Sequence, residues 1–434
     1  AMGTDPRTKL PPAAAPAFSG LTATFRDAEG TVLHETPMPS GMGWWMELPE
    51  GVAPDRLSTV DIGGRLTAAE AGEHLLAIRG IGQFTLTVDG GTVFDEAIWP
   101  DSSDLAVLFL APPEQRIPVR LEAGQSVAVN LRQQVMLPEG FAVVSLTLGY
   151  AAPTLPPDEL LDEAVRAAQA SDVAVVVVGT TEEVESEGFD RTSLALPGRQ
   201  DELVRRVAAA NPRTVVVVNA GSPVELPWAD DVAAVLLTWF PGQEGGAALA
   251  DVLLGAAEPG GRLPTTWPVA AGDCPVLSTT PVNGALDYAE GVFVGYRGWE
   301  RSGVAPRYPF GHGGGYTTWS YDGVALDGRT VTVTLTNTGT RPGREVVQVY
   351  VAPAPGEPAA PVADEPGLER PARWLAGFAG VSAGPGETVT VAVGLPERAF
   401  QVWDGGWRTV PGAYAIEVAH SIADRRLTAP LTVA

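Results

Sequence analysis

Three uninterrupted aliphatic runs constrain the fold of this 434-residue chain more than any other feature. The runs are VAVVVV at 173–178, TVVVVN at 214–219 and AAVLLT at 233–238. Strands with one solvated face alternate apolar and polar residues, whereas runs without alternation indicate strands that are buried on both faces. A helical pattern, GRQDELVRRVAAANP, lies between the first two runs, so the sequence predicts βαβ units and a parallel sheet.

Regions of a different character flank these runs. Upstream, short alternating segments such as FTLTVDGGTVFDE are broken by turn residues and predict an all-β domain. A proline-rich hinge, AAPTLPPDELL, follows, with a helix start near Pro157. Downstream, TVTVTLTNTGTRPGREVVQVYVAP predicts a terminal β-sandwich of immunoglobulin type. The predicted fold class is therefore multi-domain, with α/β and all-β parts.

Domain bounds follow from these changes of pattern. The predicted parts are an N-terminal extension or linker at 1–19, a β-sandwich at 20–152, a partial α/β sandwich at 153–315 and a terminal β-sandwich at 316–434.

Charge and hydropathy exclude several classes of partner. The chain has 52 acidic and 28 basic residues, a net charge of −24, and Lys9 as its one lysine. Such a surface repels polyanions, so we expect no nucleic-acid partner. No apolar run approaches the roughly 20 residues of a bilayer span, and the first residues lack a signal-peptide pattern. We expect a soluble protein, and the sequence does not distinguish a cytoplasmic from a secreted one.

Potential metal ligands are sparse. Cys274 stands alone, and the four histidines show no metal-binding spacing: His34, His74, His312 and His420. We therefore expect no metal and no cofactor.

An acidic stretch, TTEEVESEGFDR, follows the first aliphatic run. The carboxyl ends of parallel strands border the crevice where α/β sheets bind ligands. A solvated acidic loop is one interpretation. An ordered loop is the other, because Gly188 permits a sharp turn, Phe189 is aromatic, and Arg191 can pair with Asp190 or another carboxylate. A carboxyl beside an aromatic ring has a raised pKa, which suits a general acid.

General acid chemistry of this kind occurs in glycoside hydrolysis, where retaining enzymes place a second carboxylate about 5 to 5.5 Å away. The competing idea is a flavodoxin-like nucleotide module. It is disfavoured because the chain has no glycine-rich phosphate-binding fingerprint.

Five ordered segments resemble glycoside hydrolase family 3: ESEGFDRTSLALPGRQDELV, VVVVNAGSPVELPW, LLTWFPGQEGGAALADVLLGAAEPGGRLPTTWP, EGVFVGYRGWE and YPFGHGGGYTTWSY. The resemblance extends through residue 434 and implies a fibronectin type III-like C-terminal domain. It implies a retaining β-glucosidase acting on terminal β-D-glucosyl residues or oligosaccharides. The family's general acid/base maps to Glu187, with Glu185, Asp190 and Arg191 as loop supports and Phe189 beside the substrate.

The N-terminal β domain is similar to the protective-antigen-type β-sandwich that some family members carry as an insertion. In those members it shapes the aglycone side of the active site. Phe109, Trp44 and Trp45 are the candidate sugar or aglycone contacts, because flat aromatic faces stack on sugar CH groups. Packing into the domain core is the alternative for each of them.

The sequence departs from the family pattern in one decisive respect. It has no SDW motif to carry the aspartate nucleophile and no segment resembling the (β/α)8 barrel. We therefore expect the acid/base part of a larger enzyme, inactive without a barrel domain or chain. The alternative is a non-catalytic carbohydrate-binding or scaffolding fragment.

Overall fold

The computed structural model describes residues 10–100, 112–135, 144–187, 189–276, 279–354 and 369–434. Contacts divide the chain into two compact units. The first unit comprises Ala1–Thr192, Pro197–Val217 and Asp231–Val235, and the second comprises Ser193–Leu196, Val218–Asp230 and Leu236–Ala434.

Antiparallel strands form two sheets at the start of the first unit, in the orders β2-β1-β4-β9-β6-β7 and β3-β10-β5-β8. The strands are β1 (Phe18–Arg26), β2 (Val32–Pro37), β3 (Met42–Trp45), β4 (Thr59–Thr67), β5 (Gly72–Gly80), β6 (Gly82–Val88), β7 (Gly91–Ile98), β8 (Glu114–Leu121), β9 (Ser126–Gln134) and β10 (Val144–Ala151).

Local sequence explains these strands. The Asp-Gly pair between β6 and β7 adopts positive φ at both residues, 48° for Asp89 and 79° for Gly90, as a tight hairpin turn requires. Alternate residues of β9 point inward, and Val127, Val129 and Leu131 are all nearly inaccessible to solvent. The inward sets of both sheets form one apolar core.

Helical segments and a parallel sheet follow. They are α1 (Pro157–Gln169), β11 (Ala174–Gly179), α2 (Gln200–Ala210), β12 (Thr214–Asn219) and β13 (Ala234–Leu237). Pro157 occupies the first turn of α1, as its fixed φ allows. The sheet has the order β11-β12-β13 and is parallel, as the βαβ pattern predicts.

One expectation about this sheet is only partly met. Strand β12 is largely buried, but β11 alternates, with Val175 47% exposed and Val177 52% exposed. An unbroken apolar run therefore does not guarantee burial of both faces of a strand, because the burial of each face depends on what packs against it.

In its described residues, the second unit contains two further α-helices, two short 3₁₀ helices at Ala271–Asp273 and Glu397–Phe400, and the C-terminal sheets. Its elements are α3 (Gly245–Leu254), α4 (Tyr296–Ser302), β14 (Trp319–Asp327), β15 (Thr330–Asn337), β16 (Gly343–Pro353), β17 (Trp374–Ala383), β18 (Thr388–Gly394), β19 (Gln401–Trp403), β20 (Trp407–Thr409), β21 (Gly412–Ser421) and β22 (Asp424–Val433). Sheets of order β14-β15-β18 and β17-β16-β21-β22 enclose a valine-rich core, and β19 and β20 form a separate hairpin.

Candidate functional site

The acidic stretch leaves the carboxyl end of β11, and a neighbouring glutamine holds this strand end. The backbone N–H of Gly179 donates to the Gln200 side chain at 2.7 Å, and the Gln200 amide donates to the Gly179 carbonyl at 2.9 Å. The same amide donates to the Pro197 carbonyl at 3.0 Å. Gln200 begins helix α2, so the helix start and the strand end are joined through one side chain.

Hydrogen bonds order the first half of the loop. The Val184 and Glu185 backbone N–H groups both donate to the Thr181 carbonyl at 3.0 Å. The Thr180 hydroxyl donates to the Glu185 carboxylate at 2.6 Å, and the Thr181 hydroxyl bonds the Glu183 carboxylate. The loop is therefore a structured turn, although its acidic composition alone also suits a solvated segment.

Glu187 lies at the tip of this loop. Ser186 and Phe189 pair as an isolated antiparallel bridge, which places Glu187 in the tight turn between them. Its side chain is exposed, and the Phe189 ring beside the turn is 38% exposed. Gly188 lies outside the described residues. An exposed carboxyl on an ordered turn can reach a substrate that approaches the loop.

The three residues proposed to support the loop, Glu185, Asp190 and Arg191, differ in their burial and in their electrostatic contacts. Burial lowers the pKa of the Arg191 guanidinium below its ordinary value, and the nearby Glu185 carboxylate opposes that shift. Arg191 and Glu185 therefore interact electrostatically within the loop. Asp190 is exposed.

A side chain of the N-terminal β-sandwich also contacts the loop. Arg79, on β5, donates to Glu182 at 3.3 Å and to Glu114 of β8 at 3.0 Å. It also donates to the Leu10 carbonyl at 2.9 Å. Arg79 and Glu114 are 15% and 8% exposed, so the loop is anchored to a largely buried ion pair. No local pattern indicates this contact, because Arg79 and Glu182 lie 103 residues apart.

The structure separates the three candidate aromatic contacts. Trp45 packs on the sandwich core, with its ring edge-to-face with Phe25 at a centroid distance of 5.0 Å. Trp44 is 42% exposed on the opposite face of β3 and shares an apolar stripe with Met42 and Met46, which are 52% and 63% exposed. Phe109 lies outside the described residues. Alternation along β3 therefore makes Trp44, and not Trp45, accessible to a ligand.

Sequence reasoning missed a feature of the second unit. Trp239 follows β13 with a φ of 54°, a left-handed conformation that is strained for a bulky residue. The preceding Thr238 hydroxyl donates to the Val218 carbonyl at 3.2 Å and also bonds the Asn219 side chain. Strained backbone persists where the surroundings over-determine it, often at functional sites. An aromatic residue directly after an aliphatic run was the available signal.

The described parts of the chain contain no candidate metal cluster and no candidate membrane-spanning helix. In those parts, no group of three or more His, Cys, Asp or Glu side chains is placed to hold a metal ion. Within the same ranges, no helix combines the length and apolar character needed to cross a bilayer.

Comparison with protein families agrees with the sequence resemblance. Residues 17–316 match the glycosyl hydrolase family 3 C-terminal domain, and residues 345–422 match the fibronectin type III-like domain. Together the two matches reach across both compact units.

Individual relatives carry glycosidase names. A beta-glucosidase of Rhizobium radiobacter is 37% identical and covers 94% of this chain and 51% of its own length. An exo-alpha-(1->6)-L-arabinopyranosidase of Bifidobacterium longum is 41% identical over 64% of this chain and 37% of its own length. A Kluyveromyces marxianus beta-glucosidase in complex with glucose superposes with a TM-score of 0.82 at 29% identity, covering 96% of this chain and 50% of the other. The first and third of these relatives match almost the whole of this chain, and the chain spans about half of their length.

Proposed function

The chain belongs to glycosyl hydrolase family 3, and on that premise we propose that it supplies the general acid/base, Glu187, to a retaining β-glucosidase. The proposal assigns the aspartate nucleophile to a (β/α)8 barrel outside these 434 residues. The substrate is a β-glucoside or a β-linked oligosaccharide with a terminal, non-reducing glucosyl residue.

The position of Glu187 carries the proposal. It is an exposed carboxyl at the tip of an ordered turn, in the loop that follows the carboxyl end of a parallel strand. Ligands of α/β sheets bind at that edge. The other loop glutamates have local partners: Glu182 pairs with Arg79, Glu183 accepts from Thr181, and Glu185 accepts from Thr180. These partners leave Glu187 as the loop glutamate best suited to move a proton to and from a substrate.

The chemistry requires two roles from one carboxyl. In the first step Glu187 donates its proton to the glycosidic oxygen as the bond from that oxygen to the anomeric carbon breaks and the nucleophile bonds to the same carbon. In the second step the Glu187 carboxylate accepts a proton from water, whose oxygen attacks the anomeric carbon and releases the nucleophile. The sugar leaves with its configuration retained.

The N-terminal sandwich has a supporting role in this proposal. Arg79 links β5 to the loop through Glu182, so the sandwich restrains the segment that carries Glu187. The exposed Trp44 and Phe189 are the proposed aromatic contacts for the aglycone or sugar, and Trp45 belongs to the core.

Complementation tests the function directly. The chain is combined with a family 3 barrel polypeptide, and hydrolysis of aryl β-glucosides, alkyl β-glucosides and aryl α-L-arabinopyranosides is measured. We expect activity with the wild-type chain and a loss of about 10²- to 10⁴-fold on alkyl glucosides with Glu187→Gln. Glu183→Gln, in the same loop, is the matched control and should keep most activity. Binding of glucosides without any turnover, unchanged by Glu187→Gln, would instead support a non-catalytic carbohydrate-binding or scaffolding role.

The leaving group distinguishes an acid from a merely structural residue. A very acidic phenol departs with little protonation, so Glu187→Gln should impair an aryl glucoside much less than an alkyl glucoside. Equal losses on both substrates would remove Glu187 from the acid role.

Azide rescue tests the retaining course. With Glu187→Gly, azide should attack the covalent intermediate without needing a base, and a β-glucosyl azide should accumulate. An α-glucosyl azide, or no azide product despite residual turnover of an activated substrate, contradicts the retaining assignment.

The aglycone contact is tested at β3. Trp44→Ala should raise KM for bulky aryl glucosides several-fold with little change in kcat, because a stacking contact is lost. Trp99→Ala removes another exposed tryptophan of the same unit, 57% exposed, and is the control. Equal KM values for the two variants would exclude Trp44 from the aglycone side.

A further inference from the structure

A groove in the second unit lies outside the proposed catalytic loop. Its volume is about 460 Å³, and it is bounded by the β19–β20 hairpin, the start of β17 and residues 291–297. This volume falls within the range of small-molecule sites, roughly 300 to 1,000 Å³. The groove is therefore large enough for two or three sugar residues.

Exposed tryptophans form one wall. Trp403 and Trp407 pair across the hairpin with ring centroids 5.3 Å apart, and they are 59% and 49% exposed. Two solvent-facing tryptophans on one short hairpin contribute little to a core. The two rings are inclined at 68° to each other, so they present separate faces, and the Arg398 guanidinium covers one face of Trp407. The exposed face of Trp403 suits the CH face of a sugar.

Arginines supply the polar part of the groove. Arg398 stacks on Trp407 with its guanidinium carbon 3.4 Å from the ring centroid. Arg370 packs over Trp374 at 4.6 Å and donates to the Tyr414 hydroxyl at 3.1 Å. Aromatic contacts of this kind hold guanidinium groups in place without neutralising them.

The groove is lined mainly by positively charged side chains, whereas the whole chain carries a net negative charge. The ionisable lining residues are Arg297, Arg370, Arg398 and Glu369, and Glu369 is engaged by Arg301 at 3.4 Å. Among the described residues, none of the three lining arginines has a carboxylate within ion-pair distance, although acids outnumber bases 52 to 28 overall. A local excess of unneutralised guanidinium groups favours a ligand that brings its own anions.

We propose that this Trp403–Trp407 groove binds an acidic oligosaccharide, with a sugar ring stacked on Trp403 and uronate carboxylates bound by the arginines. Guanidinium groups match carboxylates in geometry, and the stacking surface selects a sugar over a simple anion. The site is separate from the hydrolytic chemistry proposed above and serves to hold the protein on uronate-containing glycans.

Calorimetric titration of the 434-residue chain tests this proposal with a matched ligand pair. The probes are a β-1,4-linked glucuronic acid trimer and cellotriose, which differ only at C6. We expect the trimer to bind at least about 10-fold more tightly than cellotriose, and to weaken several-fold when salt is raised from low to high concentration. Equal affinity for the two probes, or no binding of the acidic trimer at millimolar concentration, overturns the proposal.

Variants locate the site. Trp403→Ala should weaken binding of the acidic trimer about 10-fold, and Arg297→Gln about 5-fold with a smaller salt dependence. Phe378→Ala, an aromatic that is 67% exposed on β17 of the same unit, is the control and should leave affinity unchanged. Trimer affinity unchanged by both groove variants, in chains whose melting temperatures equal the wild type, would overturn the assignment to this groove.

Discussion

Each compact unit contains a charge network built around one well-covered arginine, but the two networks end differently. In the first unit Arg79 bonds the buried Glu114 and then reaches Glu182, whose side chain is 51% exposed. In the second unit Arg262 pairs with Glu345 at 2.8 Å, and both side chains are buried at 8% and 2% exposure. The first network extends to a loop proposed to do chemistry, whereas the second closes on itself.

The buried carboxylate of the second network has several partners. The Glu345 carboxylate accepts from Arg262, from the Val346 backbone N–H at 2.6 Å, and contacts the His420 ring nitrogen at 2.9 Å. Buried charges are tolerated when several partners replace water. The same pairing of arginine and glutamate can therefore stabilise a fold or position a loop, depending on whether one end reaches the surface.

Removing a partner from the closed network should have the largest effect on stability. Glu345→Ala leaves Arg262 charged and buried, so we expect the free energy of unfolding to fall by about 3 to 5 kcal/mol. Chemical denaturation monitored by tryptophan fluorescence measures this change. Glu387→Ala, at a surface turn of the same unit, is the control. Similar small losses for both variants would show that the buried pair contributes little.

Removing Arg79 from the first unit's network should lower the free energy of unfolding by less. It should also lower catalytic activity. Arg79→Met leaves Glu114 short of a partner, and we expect a loss of about 1 to 3 kcal/mol. In the complemented enzyme it should lower kcat/KM on alkyl glucosides about 10-fold and on activated aryl glucosides less, since the acid is misplaced.

Arg120→Met is the control for Arg79→Met, because Arg120 is an exposed arginine on β8 of the same sheet. An equal loss on both substrate classes with Arg79→Met would mean that Arg79 stabilises the fold without positioning the acid.

The smallest expected effect is a pH dependence. Burial raises the pKa of Glu345, but the His420 hydrogen bond, the His420 charge and Arg262 outweigh it, and the net pKa lies below the ordinary 4.5. The unfolded chain therefore binds this proton more readily than the folded chain. The stabilisation is present above about pH 4.5 and is lost as the pH falls toward the depressed folded-state pKa. Melting temperatures between pH 6 and pH 3 should decline less steeply in Glu345→Gln than in the wild type. Parallel declines would exclude Glu345 as a source of acid sensitivity.

Local patterns were sufficient for most of the fold. The Asp-Gly pair predicts the β6–β7 hairpin, Pro157 predicts the start of α1, and Gly255, with a φ of 78°, closes α3. The aliphatic runs predict the parallel sheet. They do not predict the exposed face of β11, because burial depends on what packs against a strand and not on the strand itself.

The sequence predicted less of the candidate site than of the fold. Glu187 was singled out by the family resemblance together with its position after β11, and its role stays a prediction. Hydrogen bonds such as that from the Thr180 hydroxyl to the Glu185 carboxylate disfavour the alternative of a solvated loop. The contrast between Trp44 and Trp45 required the register of β3, since neighbouring residues on a strand point to opposite faces.

The sequence by itself determined the order of elements, the family and the loop that holds the candidate acid, because turn residues, periodicity and family motifs are all local signals. Only the tertiary structure decided that Arg79 reaches Glu182, and that Trp403, Trp407 and three arginines share one groove. These contacts join residues far apart in the chain. Their energies depend on burial and distance, which no local pattern of residues encodes.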